Sequence, residues 1–151
     1  MGLIPEIKDF KFFTELQVRY EETDSMSVVY YGKYFVFFEV ARTEYIKKLG
    51  FNYIDVEKNG LYFVVAESNC TYIAPARFDD TIRIYTKVEY MKNSSFNFIY
   101  LITKINGDNS ESKIVHGFTV LVCVNKNTFK PERIPLYLRN AINNFEQFSL
   151  N

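Results

Sequence analysis

The sequence predicts an α+β fold in which one long central helix is wrapped by a curved antiparallel sheet of about five strands, with a second helix at the C-terminal end. Three observations predict it. Apolar residues recur every three or four positions between Tyr34 and Leu49, which is helical spacing. From Leu61 onward the chain reads almost continuously as strand, either alternating or rich in β-branched and aromatic residues. The 151 residues suit one compact domain, spanning 1–151, with a core of its own.

In chain order, Phe12, Thr14, Leu16, Val18 and Tyr20 alternate with Phe13, Glu15, Gln17 and Arg19, the period of a first strand with one wetter face. A polar stretch, 21–27, separates it from the helix. There Tyr34, Phe37, Phe38, Ala41, Tyr45 and Leu49 share a face, and Gly50 follows as a C-terminal cap. Phe35, Val40 and Ile46 lie off that face, so the helix is expected to be largely enclosed. The second strand, 61–74, stops at Pro75. A third alternates through Ile82, Ile84, Thr86, Val88 and Tyr90, and a fourth through Phe96, Phe98, Tyr100 and Ile102; Lys92, Asn93 and Ser94 join them. Asn106-Gly107 marks the next turn, and 113–125 is the last long strand. Pro135 suits the first turn of a closing helix on which Leu138, Ala141, Ile142, Phe145 and Phe148 share a face.

Composition excludes several functions. Hydrophobic residues make up 48% and charged residues 24%, with 15 Phe and 12 Tyr, and part of that aromatic surface is expected between subunits. Lysine plus arginine equal aspartate plus glutamate at 18 each, so no basic excess points to nucleic acid. The first residues lack the pattern of a signal peptide, Gly2 has Glu6 where a myristoylation motif wants Ser or Thr, and no apolar run is long enough to span a membrane. A cytoplasmic location is the expectation. Cys70 and Cys123 fit reduced residues better than a disulfide framework. His116 is the only histidine, which rules out multi-histidine zinc motifs and leaves a Ser-His-Asp apparatus with one candidate base in an alternating apolar run.

The segment that carries chemistry runs Val18-Arg19-Tyr20-Glu21-Glu22-Thr23-Asp24-Ser25-Met26-Ser27-Val28-Val29-Tyr30-Tyr31-Gly32-Lys33-Tyr34, followed by Phe38-Glu39 and Ala41-Arg42. With 72–80, which begins at Tyr72 and includes Pro75-Ala76-Arg77 and Asp79-Asp80, and with 130–135, it resembles the bacterial acyl-CoA thioester hydrolases of the 4-hydroxybenzoyl-CoA thioesterase type, including the subgroup linked to the Tol-Pal system. The resemblance implies a hotdog fold, a homodimer or homotetramer, thioester cleavage at subunit interfaces, and no metal or cofactor beyond the coenzyme A of the substrate. By position it puts the catalytic carboxylate on Asp24. It also puts the residue that begins the central helix on Tyr31, whose backbone amide would polarise the thioester carbonyl.

The residues support that chemistry on their own. A thioester carbonyl is already electrophilic and thiolate leaves readily, so a placed carboxylate and oxyanion donors suffice. The free amides at the start of the helix, about seven residues after Asp24, are such donors. Tyr20 either orients Asp24 or meets the acyl group, or is a buried aromatic at a strand end. Tyr30 and Glu39 join the candidate substrate-binding residues, although a structural ion pair or hydrogen bond is the plainer use of Glu39. Lys92, Ser94 and Ser95 resemble the region where relatives hold coenzyme A; solvated turn residues are the plainer reading. Arg77 and Arg133 could pair with Asp79, Asp80 or Glu132. Ser27 stands where the family has Gly, which costs about 1 kcal/mol if the turn needs a positive φ, and Gly32 could absorb part of the change. The rivals are a hotdog hydratase, which commonly needs an Asp-His pair, and a non-catalytic acyl-CoA-binding domain.

Overall fold

The computed structural model describes residues 3–148, so Gly2 lies outside the described residues. The elements are β1 (Phe13–Gln17), α1 (Lys33–Lys48), α2 (Tyr53–Lys58), β2 (Leu61–Tyr72), β3 (Thr81–Met91), β4 (Ser95–Ile105), β5 (Glu111–Asn125) and α3 (Leu136–Glu146). The five strands form one antiparallel sheet in the order β1-β3-β4-β5-β2, so β1 and β2 are its two edges.

The period-2 pattern explains which face of the sheet holds α1. Phe96, Phe98, Tyr100 and Ile102 of β4 are fully buried, as are Ile82, Ile84 and Val88 of β3, and they meet Phe37, Phe38, Ala41 and Tyr45 of α1 in one core. Phe38 stacks on Tyr100 with centroids 4.1 Å apart, and Tyr45 meets Phe98 edge-on at 5.4 Å. α3 closes the core with Leu138 and Ile142. Its Glu146 carboxylate accepts both the Tyr45 hydroxyl at 2.6 Å and the Val88 amide at 3.1 Å, next to a bulge that shifts the β3 register.

Five features differ from the sequence reading. The first strand ends at Gln17, and Tyr20 falls in a 3-10 turn, Tyr20–Glu22, because the chain leaves the sheet to build the next loop. α2 was not expected: six residues are too few to show a period, but Asn52 caps it by accepting the Asp55 amide. β2 stops at Tyr72 and not at Ala74. The helix α1 is not enclosed on all sides in one chain, since Phe35 and Val36 are exposed along one flank together with Glu39. Pro135 stands just before α3 and not inside its first turn. No helix among the described residues is long and apolar enough to cross a membrane.

Candidate active site

Residues 18–32 leave β1 and cross to the start of α1 as a pinned loop. Its backbone is tied to the β2–β3 connection by Val18 N–H to Asp80 O and Val29 N–H to Ala76 O, and to itself by Tyr30 N–H to Glu22 O. Glu22 is buried, and its carboxylate accepts the Arg19 amide at 2.7 Å and guanidinium at 3.2 Å. Within the loop, Ser27 N–H donates to Asp24 O and Asp24 N–H to Val28 O, a tight turn whose last residue is left-handed. Ser27 occupies that position with φ 64°, so the turn does require what Gly would supply more cheaply. Gly32 does not share the burden, having φ −71°; its lack of a side chain matters because a Cβ there would meet the Tyr30 ring at 2.9 Å.

Asp24 is half-buried, and its Oδ1 accepts the Met26 amide at 2.8 Å. It does not cap α1, whose N-cap is Gly32. Asp24 and Tyr31 line one cleft of about 330 Å³ with Met26, Tyr34, Tyr72 and Pro75. Tyr31 lies in the turn two residues before α1. The Tyr31 and Gly32 amides make no hydrogen bond among the described residues, whereas the Lys33 amide is used by Tyr30 O and the Phe35 amide by Gly32 O. The cleft is therefore lined by a carboxylate and by Tyr31, whose amide has no partner among the described residues, with Gly32 and the start of α1 following directly. Burial pushes the Tyr34 phenol up to about 12, so it stays neutral at physiological pH.

The other candidates are placed elsewhere in one chain. Tyr20 is 78% exposed and packs edge-on against Phe78, which corrects the buried-aromatic reading. Tyr30 is half-exposed with its ring on Tyr31 at 4.6 Å, beside the cleft. Glu39 lines a separate hollow of about 310 Å³ with Arg42 and Tyr53. Lys92, Ser94 and Ser95 sit at the β3–β4 hairpin, the far end of the sheet from Asp24, since β3 begins near Asp24 and runs ten residue steps of about 3.3 Å. The hairpin is tied down by Arg139, which donates to Lys92 O and Asn93 O. Asp79, Asp80 and Glu132 take other partners, namely Gln17, the Arg77 amide with Lys104, and Asn125, so the expected Arg77 and Arg133 ion pairs are not formed among the described residues.

His116 alternates with Gly117, which faces Phe38 of α1, and so lies on the opposite face of the sheet from the helix. There it lines a hollow with Lys87, Glu89 and Asn97, and burial with nearby Lys113 holds its pKa below the ordinary value. Cys70 and Cys123 are free thiols, pushed up to about 11 by burial. Among the described residues no cluster of His, Cys, Asp or Glu is placed to hold a metal. The sequence did not single out Tyr72 at the cleft, because only strand register brings it there.

A central helix held in a five-stranded antiparallel sheet, with a carboxylate loop at its start, is the hotdog architecture. The DHNA-CoA thioesterase from Staphylococcus aureus superposes with a TM-score of 0.81 over 89% of this chain and 90% of that one, at 34% identity. The acyl-CoA thioester hydrolase YbgC of Escherichia coli is 35% identical over 121 residues, covering 80% of this chain and 87% of that protein. The acyl-CoA thioesterase YbgC of Haemophilus influenzae is 31% identical over 140 residues, covering 91% and 98%. Residues 26–110 match the thioesterase superfamily, and the chain belongs to that family.

Proposed function

We propose that the protein hydrolyses acyl-CoA thioesters to a free acid and coenzyme A. Asp24 acts as general base or nucleophile, and the Tyr31 and Gly32 amides receive the developing oxyanion. The observation that carries this reading is that Asp24 and Tyr31 line one cleft, Tyr31 having an amide with no partner among the described residues. Relatives named as acyl-CoA thioester hydrolases support the substrate class. The test is release of free thiol from a panel of acyl-CoAs in the presence of a chelator. Steady thiol release is expected; no release from any member removes the proposal, and loss restored by zinc or magnesium replaces the metal-free mechanism.

A cleft of about 330 Å³ is at the small end for a ligand site, and a second copy of the chain completes it in this reading. β2 is an edge strand twelve residues long, paired only with β5. A twofold dimer joining two such edges must pair them antiparallel, so the Leu61 end of one meets the Tyr72 end of the other. That brings Glu39 and the hairpin with Lys92, Ser94 and Ser95 to the end of the molecule where the partner's Asp24 lies, which suits them to hold the acyl group and the coenzyme A phosphates. Light scattering at micromolar concentration should give at least a dimer, with a tetramer as the larger expected form; a fully active monomer would overturn the interface site.

A further inference from the structure

Tyr72 ends β2 at the edge of the cleft, 41 positions from Tyr31 in sequence, and its hydroxyl donates to the Tyr31 carbonyl at 2.8 Å. In a trans peptide the C=O and N–H of one unit point in opposite directions, so a bond that fixes Tyr31 O also fixes the direction of the Gly32 N–H. The preceding unit is held in the same manner, because the Lys33 amide donates to Tyr30 O at 2.9 Å and thereby sets the Tyr31 N–H. Two consecutive peptides thus have tied carbonyls and amides without a partner among the described residues. Gly32 has helical dihedrals, φ −71° and ψ −20°, which align its amide with the unsatisfied first-turn donors of α1.

We propose that Tyr72 is a positioning residue for thioester hydrolysis: its hydroxyl holds the Tyr31–Gly32 peptide so that the amides at the start of α1 are preorganised for the oxyanion. This rests on the thioesterase reading above. Donation into a carbonyl also polarises the peptide and strengthens its own N–H as a donor, by about 10–30% per bond in a chain. The Tyr72 ring is braced by Tyr34, edge-on at 5.7 Å. Burial and the adjacent Cys70 hold the Tyr72 phenol above its ordinary value, so the hydroxyl remains a donor at neutral pH. Sequence proximity cannot supply this bond; the strand register does, with Tyr72 opposite Val115 on β5.

Tyr72→Phe keeps the ring and its packing but removes the donor. The expected result is about a tenfold fall in kcat with KM within about twofold, short of the 10² to 10³ typical for losing an oxyanion donor outright. Circular dichroism and melting should match the wild type, and the ¹³C resonance of the Tyr31 carbonyl should move upfield as its hydrogen bond is lost. A carbonyl that does not shift shows that the bond is absent, and a shifted carbonyl with unchanged kcat shows that the bond has no catalytic role; either overturns the proposal. Equal loss through KM alone points to substrate contact and overturns it as well. A wild type inactive on every acyl-CoA removes the thioesterase reading and this role with it, while the carbonyl shift still reports the bond.

Discussion

Asp24→Asn is expected to lower turnover at least about 10²-fold, the lower end for a lost general base, with melting temperature and acyl-CoA binding close to wild type. The separation of chemistry from folding follows from the loop. The Asp24 side chain uses Oδ1 to accept the Met26 amide at 2.8 Å, and an Asn side chain has an oxygen that accepts the same bond, so the turn survives. What Asn lacks is basicity and nucleophilicity. The cap of α1 is not at stake, because Gly32 holds that position and the helix start is fixed by Tyr30 O, Glu22 O and the Tyr72 hydroxyl. The measurement is kcat from thiol release together with a thermal melt. Near-normal turnover would take the catalytic role from Asp24. If Glu39→Gln then showed the large loss, the carboxylate that matters would be the one on the helix.

The fold was legible wherever a period had room to show itself. Ten or more residues at helical spacing predicted α1, and strict alternation predicted β3 and β4, because each periodicity is imposed by one buried face. The missing element, α2, has six residues, and only the cap at Asn52 and the positive φ of Gly60 mark its ends. The expected enclosure of α1 rested on apolar residues off its main stripe. Phe35 and Val36 are open, so those residues form a face that the described residues of one chain leave uncovered. At the candidate site, the placing of Asp24 and Tyr31 in one cleft was reachable because their spacing is local and the resemblance names them. Glu22 and Tyr72 were not: one is a buried carboxylate serving its own loop, the other arrives across the sheet. No local pattern encodes either contact. Ser27 shows the converse, since a residue that departs from the family's glycine still adopts the left-handed conformation that the turn needs.

Gly117→Ala is the substitution expected to damage stability most, although nothing in an alternating strand pattern marks that glycine. Its φ is not in the left-handed region, so conformational freedom is not what it supplies; it supplies space. A Cβ at 117 would run into the Asn69 carbonyl oxygen and lie 2.9 Å from two ring atoms of Phe38. Neither obstacle yields easily. Asn69 O belongs to β2, paired with β5 through eleven register positions, and Phe38 is fully buried and stacked on Tyr100. Overpacking of a tight core costs about 1–3 kcal/mol and occasionally more, and two rigid obstacles place this site at the top of that range. For a chain of this size about 3 kcal/mol is roughly 6–12 °C of melting temperature. The strand that must move is β2, the proposed dimer edge, so the variant should also dissociate at higher protein concentration than the wild type. Gly107→Ala, with nothing within 4 Å of the new Cβ and no positive φ, serves as the control and should melt within about 2 °C of the wild type. If Gly117→Ala melts as Gly107→Ala does, the close approach of α1 to the sheet at this point is not a constraint on the fold.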